Sequence, residues 1–318
     1  MNNILVFGGT GFVGRAVCER LVERSGGGGG RVIVPTRRLG HGAGVRSLPT
    51  LELVEADVHD DAALAQLLAR ADAVVNLVAI LHGSRADFER VHVELPRRLA
   101  RACAGADVRR LVQVSALGVG PNSPSNYLRS KTEGEAVLQA AGLDLTLLRP
   151  SVIFGAEDQF LNVFAKLQSL APVIPLAGSG ARFQPVWVED VASAIVSCLD
   201  QPATIGQSYE LVGPKAYTLS ELVRLAGRWS GNERPQIPLP EFVGRLQAAF
   251  MELLPGTPLM SRDNVDSMRV PNVATGKLPG LEALGITATA LEAIAPGYLG
   301  SESGRARLER WRARAGRG

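Results

Sequence analysis

Residues 4–14 read ILVFGGTGFVG, an apolar run that passes directly into a glycine-rich turn. The run is short and apolar throughout, which predicts a buried strand. The residues that follow, FVGRAVCERLVER, carry apolar side chains at helical spacing and predict a helix over about residues 12–24. Strand, turn and helix in this order predict the opening of a βαβ unit.

Glycines stand at positions 8, 9, 11 and 14 of this turn. Without Cβ atoms the backbone can approach a pyrophosphate, whose charge faces the free N–H groups at the helix start, and Gly14 lets the helix lie close to the sheet. A glycine turn can also serve packing alone, but the strand before it and the helix after it favour nucleotide binding. The predicted contacts are Gly8, Thr10, Gly11, Phe12, Val13 and Gly14.

The rhythm of the first strand and helix continues to about Leu148. Further apolar runs, RVIVP, LELVEA, AVVNLVA, RRLVQVS and LDLTLLR, alternate with amphipathic stretches. This predicts an α/β fold with a doubly wound parallel sheet, the Rossmann fold. After Pro150 the pattern becomes irregular, apart from a capping box from Thr218 to Glu221 that predicts a helix start.

We therefore predict a nucleotide-binding Rossmann domain over residues 1–150. A smaller, loop-rich lobe for substrate or partner is expected over residues 151–300, with strands and helices partly interleaved with the first domain. Residues 301–318, SESGRARLERWRARAGRG, hold six arginines and two glutamates and predict a basic, disordered tail. The net charge of this tail is +4, whereas the formal net charge of the whole chain is +3. The remaining residues therefore have a net charge near −1.

Composition excludes several classes of protein. Of the 318 residues 46% are hydrophobic, which excludes disorder of the whole chain, and the sequence has no apolar run of eighteen residues and no signal-like start. We expect a soluble cytoplasmic protein. The cysteines, at positions 18, 103 and 198, and the four histidines have no metal-ligand spacing, so buried cysteines and no metal site are predicted. A nucleic-acid partner is not expected.

The end of the second strand bears on the choice of cofactor. Here VIVPTRRLG supplies Thr36, Arg37 and Arg38, where an NAD site normally presents a carboxylate to the ribose. A guanidinium fits a 2′-phosphate, so NADP(H) is preferred over NAD(H), although one of these arginines could be merely solvated. After the third strand, Asp57 could accept from the adenine amino group while Val58 covers the ring. Asp57 could equally cap the helix that begins near Asp60.

Residues 126–133, NYLRSKTE, suggest catalysis. On a helix capped by Ser125 or Ser123, Tyr127 and Lys131 share one face. In an active site of this kind the lysine and the positive nicotinamide lower the tyrosine pKa, and the phenol exchanges a proton with a carbonyl or hydroxyl. Ser115, at the end of the fifth strand, is the candidate hydrogen-bond donor to substrate or cofactor.

The motifs GGTGFVG, NLVA, YLRSK and RPSVIFG, with Asp57, together resemble the short-chain dehydrogenase/reductase superfamily, in its extended and atypical branch related to sugar-nucleotide epimerases and dehydratases. Longer stretches, among them VNLVAILH, FERVHVE, VSALGVGPNSPSNYLRSKTEGE and YELVGPKAYTLSEL, resemble the NADPH-holding accessory subunits of respiratory complex I and their bacterial relatives. The resemblance extends from the first strand to about Leu299.

The resemblance implies further site residues and a function. Tyr127 and Lys131 would touch the nicotinamide ribose, Leu77, Val78 and Ala79 would border the adenosine half, and the nicotinamide would lie beside Arg149, Pro150, Ser151 and Val152. It also implies NADPH held tightly in a structural or quinone-linked role, with a respiratory partner at the inner membrane.

Two departures from the pattern leave the activity open. Ala116 and Leu117 stand where active members carry a substrate-polarising hydroxyl, so that either Ser115 substitutes or the donor is missing. His92 stands where the extended branch often has Asn. A free-standing NADP-dependent oxidoreductase, dehydratase or epimerase acting on a carbonyl or secondary alcohol is therefore the alternative, and a sensor of the NADP(H) ratio is a third hypothesis.

The stretch EFVGRLQAAFMELLPGTPLM presents apolar side chains at helical spacing. They belong to Phe242, Leu246, Ala249, Phe250 and Leu253. Such a face fits a protein or membrane surface. Packing against the chain's own nucleotide domain is the favoured interpretation.

Overall fold

The computed structural model describes residues 2–26, 30–253, 256, 258 and 260–300. The predicted basic tail, residues 301–318, lies outside this part of the chain. The chain divides into two compact units. Within the described residues, the first comprises the chain up to Pro150, Val188–Leu211 and Ala274–Thr287; the second comprises Ser151–Trp187, Val212–Val273 and residues 288–300.

The first unit is built on a seven-stranded sheet in which every pairing is parallel. Its strands, numbered in chain order, are β1 (Asn3–Phe7), β2 (Arg31–Thr36), β3 (Leu51–Glu55), β4 (Ala73–Asn76), β5 (Arg110–Val114), β6 (Asp144–Pro150) and β11 (Ser208–Leu211). They lie in the order β11-β6-β5-β4-β1-β2-β3. The predicted doubly wound parallel sheet is therefore confirmed.

The strand order reverses between β1 and β4, which are neighbours paired through Leu5 and Val74. In an open parallel sheet, ligands bind outside the carboxyl ends of the strands at such a switch point. The turn after β1 and the segment after β4 both begin at this edge. The topology thus directs attention to the glycine-rich turn.

The helices of the first unit flank this sheet. They are α1 (Phe12–Ser25), α2 (Asp61–Leu68), α3 (Arg85–Glu89), α4 (Leu95–Gly105), α5 (Asn126–Gln139) and α7 (Val188–Asp200), with a π-helical segment at Arg90–Glu94 and 3₁₀ turns at Leu39–Gly42, Pro202–Thr204 and Leu281–Leu284. Leu5, Phe7, Leu95, Leu99 and Leu111 are fully buried in one core cluster. Burial of strand residues on both faces explains why the sequence shows continuous apolar runs.

The second unit consists of short elements. They are β7 (Ile153–Phe154), β8 (Ile174–Ala177), β9 (Arg182–Phe183), β10 (Val186–Trp187), β12 (Tyr217–Thr218), β13 (Gln236–Leu239), α6 (Leu161–Leu170), α8 (Leu219–Trp229), α9 (Glu241–Glu252), α10 (Arg262–Ser267) and α11 (Leu291–Leu299). Phe154, Leu161 and Leu222 are buried in its core. The predicted capping box is confirmed, because Thr218 accepts from Glu221 N while the Glu221 carboxylate accepts from Thr218 N.

The apolar face of α9 is exposed. Phe242, Leu246, Phe250 and Leu253 are 73%, 70%, 65% and 82% exposed, while Gly244 and Ala248 on the opposite side are buried. The favoured interpretation, burial of this face within the chain, is therefore wrong. Helical spacing identifies an apolar stripe, but it does not identify what covers the stripe. Within the described ranges no helix is long and apolar enough to cross a membrane.

The three cysteines are buried, as predicted. Burial raises the pKa of the Cys18 thiol to about 12 and that of Cys103 to about 11. Among the residues that the structure describes, no group of three or more His, Cys, Asp or Glu side chains could hold a metal ion.

Candidate functional site

The glycine turn after β1 is closed on itself by close backbone contacts. Gly11 N donates to Gly8 O over 3.0 Å, and Gly8 has a positive φ of 80°. A Cβ atom on Gly14 would lie 2.2 Å from Gly8 O, so any side chain there would push α1 away from the turn. Gly8 is itself close to Leu77, because its own Cβ would lie 3.2 Å from the Leu77 carbonyl carbon. Positions 8 and 14 therefore require glycine.

The N-terminus of α1 faces this turn without a side-chain cap. Gly11 is the N-cap residue, and among the described residues no side chain caps this helix and no acidic residue lies in its first turn. The first N–H groups of a helix need acceptors, and the helix dipole favours an anion there. A helix start around Phe12 and Val13, next to the half-buried Thr10, fits a pyrophosphate. These residues could hold the diphosphate of a dinucleotide.

The end of β2 presents two cationic side chains. The hydroxyl of Thr36 donates to Arg38 O over 3.0 Å and so fixes the backbone of this turn. Arg37 and Arg38 are exposed, and within the described chain neither guanidinium has a hydrogen bond or ion pair. Arg20, Arg24 and Arg31, by contrast, are all paired with carboxylates. Two unpaired guanidiniums at this edge suit a phosphate.

The structure excludes one of the two roles considered for Asp57. Asp60, rather than Asp57, is the N-cap of α2, because its carboxylate accepts from Ala62 N over 3.0 Å. Asp57 Oδ1 accepts from His59 N over 2.9 Å. The capping role of Asp57 is therefore wrong, and its adenine-binding role stays a prediction. Val58 is half-buried against the core of the sheet.

The segment after β4 runs beside the glycine turn. Leu77 N donates to Phe7 O over 3.0 Å and Val78 N donates to Asn76 Oδ1 over 3.2 Å, while Ala79 is exposed. The side chain of Asn76 in turn donates to Gln113 Oε1 over 2.8 Å. Buried polar side chains at the ends of β4 and β5 thus hold this segment in place.

Helix α5 carries Tyr127 and Lys131 on one face. Ser125, one of the two predicted caps, is the N-cap residue and accepts from Leu128 N over 3.2 Å. Ser123 instead donates to Gly118 O. The ammonium of Lys131 is buried and donates to Val114 O over 2.9 Å. Burial lowers the pKa of Lys131 to about 8, although the Glu135 carboxylate acts in the opposite direction.

The pKa of Tyr127 differs from the expectation for an active site. Burial raises it to about 12. The cause is desolvation of the phenol, while the Lys131 ammonium donates to the carboxyl end of β5. The lowering expected from the lysine and a bound, positively charged nicotinamide together stays a prediction.

Ser115 lies in the interior. It is 5% exposed, and its hydroxyl is buried without a hydrogen-bond partner in the described structure. Ser115, Lys131, His92 and Glu135 line a small cavity with room for about one water molecule. The next two residues, Ala116 and Leu117, are buried and carry no hydroxyl. A substrate-polarising role for Ser115 stays a prediction.

Arg149 is engaged by a carboxylate that the sequence motifs did not indicate. Its Nε and Nη2 donate to the two oxygens of Glu135 over 3.0 and 2.5 Å, and Glu135 is 4% exposed. Glu135 also lies four residues after Lys131 on α5. This helical spacing could have identified Glu135 as a carboxylate near the buried lysine, although not as the partner of Arg149. At the end of β6, Pro150 O accepts from Leu117 N over 3.0 Å.

Ser151 and Val152 belong to the second unit. The Ser151 hydroxyl donates to Asn272 Oδ1 over 2.6 Å, and Val152 N donates to the same oxygen over 3.0 Å. Asn272 also bridges to Phe183 through the backbone. Within its unit, this cluster fixes the chain that follows Pro150.

His92 has a larger structural role than its place in the sequence suggested. It lies in the π-helical segment and is 3% exposed. Its Nε2 lies 3.2 Å from Ile80 N, and its Nδ1 lies 2.8 Å from Ser130 Oγ. Burial and the charge of Lys131 lower its pKa to about 3, so the ring is neutral.

A family model connects this geometry to known proteins. It is the model of the NAD dependent epimerase/dehydratase family, and it matches residues 4–212, from the glycine turn through α5 to the last strand of the sheet. The chain belongs to this family.

Two relatives of this chain have names that record different roles. The mouse "NADH dehydrogenase [ubiquinone] 1 alpha subcomplex subunit 9, mitochondrial" is 35% identical over 294 residues, covering 90% of this chain and 77% of the relative. "Ceramide reductase" of Caulobacter vibrioides is 29% identical over 240 residues, covering 75% and 74%. These matches confirm the resemblance to complex I accessory subunits, and a bacterial reductase is also related.

Solved structures of other proteins share the fold of this chain. The Escherichia coli NADPH-dependent quinone oxidoreductase QOR2, complexed with NADPH, superposes with a TM-score of 0.72 at 20% identity, covering 92% of this chain and 98% of that one. At this identity the likeness concerns the fold alone.

Proposed function

We propose that this protein binds NADP(H) tightly and works as a cofactor-holding component of a respiratory or quinone-linked assembly. The observation that carries the proposal is a contrast at one edge of the sheet. The glycine turn and the uncapped start of α1 suit a dinucleotide, whereas Ala116 and Leu117, two and three residues after the end of β5, carry no hydroxyl. Losing such a donor commonly lowers an enzyme's rate by about 100-fold or more.

Each part of the cofactor has candidate contacts. The α1 start would hold the pyrophosphate, and Arg37 and Arg38, exposed and unpaired in the described chain, would hold the 2′-phosphate of NADP(H). Asp57 would accept from the adenine. Tyr127 and Lys131 would bond the nicotinamide ribose. When bound, the nicotinamide can donate or accept a hydride.

A respiratory partner is the second element of the proposal. The mouse relative is named as a subunit of mitochondrial NADH dehydrogenase. The exposed stripe of Phe242, Leu246, Phe250 and Leu253 offers an apolar face for an assembly. With such a partner the protein would be cytoplasmic and peripheral to the inner membrane.

Two measurements test this function. Full-length protein, purified under native conditions and then denatured, should release about one NADP(H) per chain, identified by mass spectrometry. Release of NAD(H), or of no nucleotide, would contradict the cofactor assignment. The protein should also co-purify with complex I from native membranes at low salt. Recovery only in the soluble fraction would contradict the partner.

The second candidate is a free-standing NADP-dependent reductase, dehydratase or epimerase. Tyr127 and Lys131 share one face of α5, and the Caulobacter relative is named as a reductase. In this case Tyr127 exchanges a proton with a carbonyl or secondary alcohol, and Lys131 supports its charge. Tyr127→Phe would then abolish turnover while NADPH still binds, and unchanged turnover would exclude the phenol as the acid or base.

A further inference from the structure

We propose that His92 is a positioning residue whose two ring nitrogens couple the Leu77–Ile80 segment to the first turn of α5, where Tyr127 lies. This inference rests on the proposed function, which places Tyr127 at the nicotinamide ribose, and on the family resemblance, which implies that Leu77, Val78 and Ala79 border the adenosine half. It adds a mechanical connection between the segment expected at the adenosine half and the tyrosine expected at the nicotinamide ribose.

The hydrogen bonds around His92 have only one consistent direction. Ser130 Oγ lies 2.8 Å from Tyr127 O, a carbonyl that can only accept, so the single hydroxyl hydrogen of Ser130 points there. Ser130 Oγ must therefore accept from His92 Nδ1, which lies 2.8 Å away. Ile80 N can only donate, and it donates to Nε2 over 3.2 Å. The neutral Nδ1–H tautomer gives every donor and acceptor in this series of hydrogen bonds a partner.

The opposite tautomer would oppose two N–H groups at Ile80 and leave Nδ1 facing a hydroxyl whose hydrogen is already used. A protonated ring would also point an N–H at the Ile80 amide. Both arrangements lose a hydrogen bond in a buried place, where an unpaired polar group is costly. The surroundings therefore select one state of the ring.

Packing holds the ring in this orientation. Its plane stacks on Phe88, with centroids 5.6 Å apart and an interplanar angle of 29°. It meets Tyr127 edge-on, with centroids 5.5 Å apart at 80°. On the other side, a Cβ atom on Gly134 would lie 1.9 Å from His92 O, so α5 contacts the π-helical backbone directly.

Through these contacts His92 connects two segments of the first unit, in addition to filling space in its interior. One side of the ring holds the segment that leaves β4, and the other holds the helix that carries Tyr127 and Lys131. π-helical segments are rare and often lie at functional sites. Here the π-helical segment places the His92 ring between the segment after β4 and helix α5.

A hydrogen-exchange experiment tests the coupling. The variant is Ser130→Ala, which removes the hydroxyl that accepts from His92 Nδ1 but leaves the bond from Ile80 N to His92 Nε2 in place. The probe is the amide exchange rate of Ile80, measured by NMR on the full-length protein without nucleotide. The variant loses the hydrogen bond between His92 Nδ1 and Ser130 Oγ. If that loss is transmitted through the ring, the Ile80 amide should exchange about fivefold to tenfold faster, the effect of losing one hydrogen bond. Unchanged exchange would overturn the proposal.

Ser169→Ala is the matched control. The Ser169 hydroxyl donates to Lys166 O over 2.7 Å, the same three-residue bond to a helix carbonyl, but Ser169 lies on α6 in the second unit. This variant should leave Ile80 exchange unchanged. A change equal to that in Ser130→Ala would show a general loosening of the fold and would also overturn the coupling.

Two further variants separate the two ends of the ring. The amide of a glutamine reaches about as far as Nε2, and that of an asparagine about as far as Nδ1. His92→Gln should therefore keep the Ile80 bond, whereas His92→Asn should lose it and exchange faster at Ile80. Equal exchange in both variants would contradict the assignment of the ring nitrogens.

The ring nitrogens give a direct readout. Nitrogen-15 shifts of His92 should show a protonated Nδ1 and an unprotonated Nε2 at pH 7. The reverse pattern would overturn the proposal. Because exchange and tautomer are measured without nucleotide, they can succeed even if the protein fails to bind NADPH, which would contradict only the proposed function.

Discussion

Lys131 Nζ donates to the carbonyl oxygen of Val114 over 2.9 Å, which anchors a buried ammonium to the carboxyl end of β5. Val114 O also accepts from Gln113 Nε2 over 2.8 Å, so it keeps a partner if the lysine is removed. The lysine is thus a cost to the protein alone, since burial lowers its pKa from 10.5 to about 8. Its benefit must appear when a ligand is bound.

Lys131→Met tests this trade between stability and binding. Below pH 8 the lysine is protonated in both states, and the folded state bears a desolvation cost on the order of 1–3 kcal/mol. We expect the variant to be more stable than wild type at pH 7 and to bind NADPH at least about tenfold more weakly. Urea denaturation and fluorescence titration measure the two effects.

The same lysine sets an alkaline dependence. Between pH 8 and 10.5 the unfolded chain binds more protons than the folded one, so wild-type stability should rise with pH across this window. Lys131→Met should lack that rise. A variant that is less stable than wild type at pH 7 would contradict the account.

The pair of Glu135 and Arg149 should contribute strongly to stability. Glu135 is 5% and Arg149 23% exposed in their side chains, and both carboxylate oxygens are used. Glu135→Gln leaves Arg149 without its counter-charge and should lower the free energy of unfolding by about 2–4 kcal/mol. The matched control is Glu233→Gln, whose exposed pair with Arg228 should contribute less than about 1 kcal/mol. Equal losses would mean that burial of the pair is unimportant.

His92 should give the protein an acid-sensitive stability. Its folded pKa of about 3 lies below the ordinary 6.5, because of burial and then Lys131. Stability is therefore fully present above pH 6.5 and is lost as pH falls from 6.5 towards 3, by up to about 1.4 kcal/mol per pH unit. His92→Gln should flatten this part of the profile in chemical denaturation. His41→Gln, at an exposed position, should leave the slope unchanged, and a slope unaffected by His92→Gln would exclude the ring as its cause.

Arg37 and Arg38 should discriminate between the two nicotinamide cofactors. Replacing both with alanine removes charge-assisted bonds to a 2′-phosphate and should weaken NADPH binding by about 10-fold to 100-fold. NADH has no such phosphate, so its binding should be unchanged. Arg224→Ala, an exposed arginine on α8, is the control. Equal losses for both cofactors would place the 2′-phosphate elsewhere.

Local pattern predicted most of the sheet, because strands buried on both faces leave apolar runs that are visible in the sequence. The glycine turn and the Thr218 cap were also predictable, because each depends only on residues close together in the sequence. The pairing of β11 with β6 was not, because Ser208 meets Leu147 across sixty intervening residues. Choosing between Asp57 and Asp60 as the cap of α2 required the backbone path, which composition does not contain.

The candidate site shows the same limit. The motif identified Tyr127 and Lys131, but the pKa of each depends on burial, which no motif records. Glu135 and Arg149, fourteen residues apart, meet only because α5 packs on β6. The exposed face of α9 was misjudged because an amphipathic helix has the same pattern whether its apolar stripe is covered or free.

The most direct test of the central claim is the rate at which NADPH leaves the purified full-length protein. Bound NADPH would be displaced by excess nucleotide in a stopped-flow fluorimeter. A cofactor-holding protein should release it more slowly than about 0.01 per second, far below the roughly 1–1,000 per second of enzyme turnover. Release at several per second would contradict tight holding and favour a reductase that exchanges its cofactor in each cycle.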